Sequence, residues 1–426
     1  MEEEYIFYGA GRHAKEVVKS MLSVGIVPVC FADRDESKHY TAIEIPISAD
    51  KRGRVEVLPL DEAMALNPNA NLYITIEPKS YQNVYDYLLR QGVPPNRIKG
   101  PPLYCELIGN FITITDCNIF TCCAKREPVR VPRSGDIRKD IGVYYTLCKG
   151  LLDDLREGKP TTCSGCQKLH SGRSIEDFRI KHLNLALTSV CNFNCCYCRY
   201  EPDTDLSDEV FTLLQYFNQE EHIEYVLLTT GEISVQKFRK EILTFLRKNK
   251  LNSFVYTNAA IYREEIRELL CNTSCMLNIS LDAGTKETYA RVKGVDCFDT
   301  VLQNIEMYAA TAEPHQICLK YLVLETLNCD DRDIDSFIDI AAKLKAVVSI
   351  SDDMFETFTI ESAKVYQTVA RLVRQCIAKE IPYRLSFLDK YYERLHRDGL
   401  LNHKLRFSDE KAILDKLHLK KRFIES

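Results

Sequence analysis

The chain has 426 residues, with 45% hydrophobic and 27% charged side chains, a balance that reads as soluble, globular and larger than one ordinary core. Its formal net charge of −5 gives no general reason to bind nucleic acid or an anionic membrane surface. No apolar run is long enough to span a bilayer. The start MEEEYIFYGAG is acidic where a signal peptide would be basic, so a cytoplasmic protein is expected. Eighteen cysteines in such a chain read as metal ligands or spare thiols more than as disulfides.

Residues 1–102 alternate strand and helix signals. EYIFYGAGRHAKEVVKSML predicts a strand, a glycine turn and an amphipathic helix. VPVCFADRD predicts a second strand ending at Asp33, and ANLYITI a third, followed by a helix through VYDYLLRQG. Such alternation indicates a parallel α/β sheet. Gly9 and Gly11, in the pattern Gly9-x-Gly11-x-x-Ala14, lie between strand and helix, where a phosphate can approach the helix N-terminus. Asp33 falls in the range expected for a ribose contact. The stretch resembles the small Rossmann-like domains found ahead of sugar acyltransferases, some of which bind a nucleotide or an activated sugar while others act as spacers.

Residues 103–174 change character. They hold Cys105, Cys117, Cys122, Cys123, Cys148, Cys163 and Cys166, with FITIT as a candidate strand and VYYTLCKGLLDDLREG as a candidate helix. A small cysteine-rich stretch of this kind usually needs a metal for stability.

From residue 175 to 358 the alternation returns. HLNLALTSV, YVLLTTGE, SFVYTNAA, MLNISLDAG, ICLKYLVLE and AVVSISDD are strand candidates with helical stretches between them. Right-handed crossovers would curl these six strands toward a partial (β/α)6 barrel of TIM type. Residues 359–426 read as a mostly helical extension, with one further strand possible in composition at IPYRLSF.

CNFNCCYCRY directly follows the strand LNLALTSV. Cys191, Cys195 and Cys198 stand at Cys-x3-Cys-x2-Cys spacing, so one loop can turn three thiolates toward one cluster. Three thiolates on a four-iron cluster leave one iron without a protein ligand, open to a small molecule. Ligand chemistry in α/β barrels sits in loops at the carboxyl ends of strands. Three close cysteines also suit part of a zinc site.

The order of motifs resembles the radical S-adenosylmethionine (SAM) superfamily. That family carries the three cysteines after the first barrel strand, with an aromatic residue, here Tyr197, before the last. The resemblance implies a [4Fe-4S] cluster on Cys191, Cys195 and Cys198, whose open iron chelates SAM. It implies that Thr230, Gly231 and Glu232 match the family's Gly-Gly-Glu at the methionine end of SAM, with Thr in place of the first Gly. Thr257 and Asn258 lie at the tip of strand three. Ser280 and Asp282 correspond to the ribose contacts, and Arg291 to a partner of the methionine carboxylate, with Asn328 in the same region. Cys196 is a spacer.

The cysteines upstream resemble the SPASM auxiliary-cluster module, which normally follows the radical domain but here precedes it. The resemblance implies Cys105, Cys122, Cys163 and Cys166 as ligands of a second, closed [4Fe-4S] cluster. Cys123 is the alternative to Cys122, Cys117 occupies the turn position, and structural zinc is the alternative metal.

The implied activity is reductive cleavage of SAM to a 5′-deoxyadenosyl radical, with an electron from a flavodoxin or ferredoxin. Hydrogen would then leave a sugar or nucleotide-linked substrate, leading to epimerisation or oxidation. Cys318 and Tyr321, near the fifth strand, are candidate hydrogen donors. A peptide-modifying maturase and a non-catalytic zinc scaffold are the competing readings.

Overall fold

The computed structural model describes residues 4–416, apart from 12, 23–25, 47–51, 101–102, 123–126, 158, 160, 165, 167, 172–177, 201–202, 354–361, 389–390, 402, 409–411 and 414. The chain divides into two units. One holds residues 1–110 and 119–179, the other 111–118 and 180–426.

The first unit begins with six strands: β1 (Tyr5–Tyr8), β2 (Pro28–Ala32), β3 (Ala42–Pro46), β4 (Arg52–Leu58), β5 (Asn71–Ile74) and β6 (Ile98–Lys99). They form a sheet in the order β3-β4-β2-β1-β5-β6. All neighbours are parallel except β3 and β4. Every residue of β1 is buried, as expected of a strand with both faces covered. Phe7, Phe31 and Tyr73 pack there against Val17 and Val18 of the helix Ala14–Leu22. The order reverses between β1 and β5, the position where open α/β sheets form a ligand crevice. Gly9 lies at that point with φ +107°. A Cβ on it would come within 2.6 Å of Ile76, so both conformation and space demand glycine.

Next come β7 (Leu103–Tyr104), β8 (Phe111–Thr115), β9 (Asn118–Phe120), β10 (Arg130–Pro132), the helix Ile137–Arg156 and β11 (His170–Ser171). Asp136 caps that helix by accepting from the amides of Arg138 and Lys139. Ile141, Tyr144, Cys148, Leu152 and Leu155 form its buried stripe, the three- and four-residue spacing of a helix face. The expected module over 103–174 does not stay together. FITIT is buried along most of its length, and β8 groups with the second unit.

In that unit follow β12 (His182–Ala186), β13 (Tyr225–Leu228), β14 (Asn252–Thr257), β15 (Cys275–Ser280), β16 (Ile317–Val323), β17 (Val347–Asp352), β18 (Tyr383–Ser386) and β19 (Arg406–Phe407). The order β8-β12-β13-β14-β15-β16-β17-β18-β19 is continuous, and every adjacent pair is parallel. Helices join successive strands from β12 to β18. The C-terminal stretch is therefore not only helical: β18 and β19 extend the sheet. Ile413 enters an apolar cluster with Phe254, Met276, Cys318 and Val347.

Candidate active site

The cysteine loop leaves the carboxyl end of β12 and is tied at its base. Ser189 N and Val190 N both donate to Thr204 O, at 2.8 and 2.9 Å. Within the loop, Phe193 N donates to Cys191 Sγ at 3.4 Å, and Cys198 N to Cys195 O at 2.9 Å. Burial pushes the Cys191 thiol up to about 11, helped by Glu232 and by the Cys195 and Cys198 sulfurs, against the Phe193 amide. Burial also raises Cys195, which Lys293 opposes. The three sulfurs are thus close enough to act on one another.

Among the described residues, no three His, Cys, Asp or Glu side chains gather tightly enough for one metal ion. Sulfurs on a single zinc sit about 2.3 Å from one point, whereas a cubane presents its irons at separate corners. The donor set suits the cluster: three thiols on one loop, partly sheltered from water.

The Thr230-Gly231-Glu232 motif closes on this loop. Gly231 has φ +66°, and a Cβ there would lie 2.9 Å from Val190 O and 3.0 Å from Thr188 O. Glu232 N donates to Val190 O at 2.8 Å. The Glu232 carboxylate is buried and accepts from Ser234 N (2.9 Å), Thr257 Oγ1 (2.8 Å) and Asn258 N (2.6 Å). Glu232 thereby joins the tips of β13 and β14. Asn258 Nδ2 reaches Asn192 Oδ1 at 2.8 Å and points toward Cys191 Sγ at 3.9 Å. Thr230 Oγ1 is buried without a hydrogen-bond partner, the condition of a group that lacks its ligand or water. That orphan beside the cysteine loop fits a polar cofactor.

Asp282 behaves differently from the expected ribose contact. It is fully buried, at φ +55°. Its carboxylate accepts from Lys293 Nζ (2.5 Å), Tyr197 OH (2.6 Å) and Leu322 N (2.7 Å). Lys293 Nζ also donates to Tyr197 OH at 2.7 Å. The aromatic residue of the cysteine motif is therefore locked to β15 through a buried ion pair. Lys320 Nζ stands 5.9 Å from the Tyr197 ring centre. Lys293 and Lys320 were not predicted from sequence. The only signal for Lys293 is its place in KETYARVK, directly before the left-handed Gly294 that ends the helix.

Ser280 lies at the end of β15, beside Lys320 in the β16 register. Arg291 is exposed, and its Nη2 donates to Thr288 Oγ1 and Leu327 O, both at 3.1 Å. Asn328 is buried, donating to Asp282 O (2.9 Å) and Leu322 O (2.7 Å). It braces the tips of β15 and β16.

The two candidate hydrogen donors separate. Cys318 packs with Phe254, Met276 and Val347, on the strand face that also carries Lys320. Tyr321 points to the other face, donating to Asp333 Oδ2 at 2.8 Å and meeting the Phe337 ring at 4.7 Å between centres. Its expected role as a donor is not met, because strand alternation turns it toward the helix Asp331–Lys343.

In the first unit, Cys105 is half-buried and raised to about 11, chiefly by desolvation, with Cys166 and Cys122 contributing. Cys166 and Cys122 each act on the Cys105 thiol. Cys163 is buried, and its carbonyl accepts from Cys166 N at 2.9 Å. Cys117 is exposed, and Cys123 lies outside the described residues. Asp33 is turned onto the glycine turn: its carboxylate accepts from Ala10 N (2.7 Å), Asp35 N (2.9 Å) and Lys38 Nζ (3.0 Å). Gly11 has open space around it.

Residues 185–338 match the family model described as the Radical SAM superfamily. A protein named "Probable GTP 3′,8-cyclase" from Saccharolobus islandicus is 31% identical over 140 residues, 32% of this chain and 44% of its own. One of the same name from Pyrococcus abyssi is 28% identical over 175 residues, 40% of this chain and 56% of its own. The chain thus spans about half the length of these curated relatives. Among solved structures, Streptococcus suis SuiB bound to the precursor peptide SuiA matches at TM-score 0.43 and 12% identity, covering 70% of this chain and 75% of that one. A radical SAM methyltransferase from Sphaerobacter thermophilus matches at TM-score 0.41 and 11% identity, covering 78% and 89%. Residues 185–338, which carry the three-cysteine loop and the Thr230-Gly231-Glu232 clasp, thus match a radical SAM domain, a family whose cofactors are SAM and a [4Fe-4S] cluster.

Proposed function

We propose that this chain is a radical SAM enzyme that removes hydrogen from a sugar or nucleotide-linked substrate, with epimerisation or oxidation as the outcome. The observation that carries this reading is the sulfur loop at the carboxyl end of β12, clasped by Glu232 and locked through Tyr197 to a buried Asp282–Lys293 pair. Cys191, Cys195 and Cys198 would hold the cluster. A cluster held there would supply, with SAM and one electron, the chemistry of reductive SAM cleavage.

The residues of the chain do the rest. Glu232 and Asn258 fix the loop. Thr230 Oγ1 offers a buried polar contact, and Ser280 stands beside Lys320 in the strand register. Cys318 is the remaining candidate for returning a hydrogen atom, which would give epimerisation. The electron would come from a flavodoxin or ferredoxin.

The relatives' printed name, a GTP cyclase, supports a nucleotide-linked substrate. So does a Rossmann-like reading of the β1–β6 sheet. We read β12–β17 as the partial barrel and Cys105, Cys122, Cys163 and Cys166 as holding a second cluster. That cluster would accept an electron in an oxidation. The competing reading is a peptide-modifying enzyme.

The test is deuterium transfer into 5′-deoxyadenosine from per-deuterated nucleotide sugars and, in parallel, from deuterated peptides. Label from a nucleotide sugar supports the proposal. Label from peptide alone overturns the substrate class, and no 5′-deoxyadenosine at all overturns the activity.

A further inference from the structure

Parallel register sets four residues side by side across the sheet. Ser280 of β15 pairs with Lys320 of β16, Lys320 with Ser349 of β17, and Ser349 with Arg384 of β18. Register partners on adjacent parallel strands present their side chains to the same face. That face is the interior one. Lys320 Nζ looks onto Tyr197 of the cysteine loop, and the Arg384 guanidinium lies over the Phe254 ring at 5.3 Å. With strands about 4.8 Å apart, the Lys320 and Arg384 backbones are about 10 Å apart, a gap that two long side chains can close around a small anion.

The row is cationic, and the hydroxyl it carries at Ser349 lacks a hydrogen-bond partner. Asp282 is the main carboxylate acting on Lys320, and it is already bonded to Lys293. Burial, Lys293 and Arg384 together hold the Lys320 ammonium below its ordinary range. Ser349 Oγ is buried with no hydrogen-bond partner. So are both amide atoms of Asn278, two residues before Ser280 on the same face and completely buried. Buried polar groups are nearly always paired, so two orphans beside two cations mark a missing partner. An anion with several oxygens would accept from the Ser349 hydroxyl and the Asn278 Nδ2 amide. Below the row lies the apolar floor of Phe254, Met276 and Cys318.

We propose that Lys320, Ser349 and Arg384, with Asn278 beneath them, seat a phosphoryl group of the substrate on the interior face. A phosphoryl group fits better than a carboxylate because it offers three oxygens to donors that approach from three strands. The seat places the phosphate on the strands next to Ser280, with Lys320 between it and Tyr197 of the cysteine loop.

This inference rests on the proposed function, but its test needs no turnover. The anaerobically prepared full chain is titrated calorimetrically with pyrophosphate, with succinate, and with S-adenosylhomocysteine. The wild type is expected to bind pyrophosphate. Lys320→Met and Arg384→Gln are each expected to weaken it about ten- to a hundredfold, the loss of one charge-assisted bond. Lys320→Arg should restore most of the binding, which a misfolded site would not do. Pyrophosphate binding that is absent from the wild type, or unchanged in both variants, overturns the proposal. Equal binding of succinate overturns the phosphoryl assignment. Loss of S-adenosylhomocysteine binding in Lys320→Met, with no pyrophosphate binding in the wild type, would give the row to the cofactor and also overturn it. Pyrophosphate binding by a protein that fails to cleave SAM would defeat the proposed activity and leave the seat standing.

Discussion

Lys293 Nζ and Asp282 Oδ2 lie 2.5 Å apart with side-chain exposures of 1% and 0%. A buried pair of this kind is costly to break, because removing one partner leaves the other charge stranded. Lys293→Met should therefore destabilise the fold by about 3–5 kcal/mol, read by chemical denaturation. The double variant with Asp282→Asn should lose clearly less than the sum of the two single variants. Full additivity would mean that the pair is not coupled.

The same pair sets a pH window. Burial acts to raise the Asp282 carboxyl, but Lys293, Lys320 and the Tyr197 hydroxyl outweigh it and hold it low. Burial acts to lower the Lys293 ammonium, but Asp282 and Cys195 outweigh it and hold it high. A depressed carboxyl stabilises the fold above its unfolded value of about 4, and that contribution is lost as pH falls through the lower folded value. A raised ammonium stabilises below its unfolded value of about 10.4, and that contribution is lost as pH rises through the higher folded value. The stability difference between wild type and the double variant should be flat from about pH 5 to about pH 9. A steep slope inside that window would contradict the assignment.

Glu232 joins the tips of β13 and β14 through one carboxylate. In Glu232→Gln an amide NH2 would replace one oxygen, facing donors at Thr257 and Asn258. The expected cost is about 1.5–3 kcal/mol, together with weaker SAM binding as the clasp on Val190 loosens. A variant with wild-type melting temperature and wild-type SAM affinity would remove Glu232 from the site.

The thiols should differ in reactivity when the cluster is absent. Cys198 is exposed, whereas burial pushes Cys191 up to about 11. Since the thiolate is the reactive form, alkylation of apoprotein at neutral pH, mapped by mass spectrometry, should reach Cys198 well before Cys191. The reverse order would contradict the loop geometry.

A second cluster predicts iron. Cys122 and Cys166 each act on Cys105, so the wild type should hold about eight irons per chain and the Cys163→Ala/Cys166→Ala variant about four. Four irons in both would leave a single cluster, and zinc in their place would make the upstream site a structural one.

Much of this was readable before the fold. ICLKYLVLE and AVVSISDD become β16 (Ile317–Val323) and β17 (Val347–Asp352), because β-branched and apolar runs bounded by polar turns are local signals. The cysteine loop and the Thr230-Gly231-Glu232 motif are local as well. What stayed hidden depends on pairing. Tyr197 and Lys293 are 96 residues apart in sequence, and no spacing rule connects them. Lys320, Ser349 and Arg384 meet only through strand register. Tyr321 shows the same limit: alternation puts it opposite Lys320, but only the fold decides which face is inside. FITIT was legible as a strand but not as a neighbour of β12, since strand pairing is not written in the strand itself. Asp33, expected at a ribose, instead serves its own glycine turn, a choice made by the Ala10 and Asp35 amides and Lys38.

The most direct measurement is 5′-deoxyadenosine formation by the reconstituted protein under dithionite, compared with Cys191→Ala, alongside iron counts. The account predicts product from the wild type, none from the variant, and a loss of about four irons. Undiminished product from Cys191→Ala, or a wild type that holds its full iron and never cleaves SAM, would contradict it.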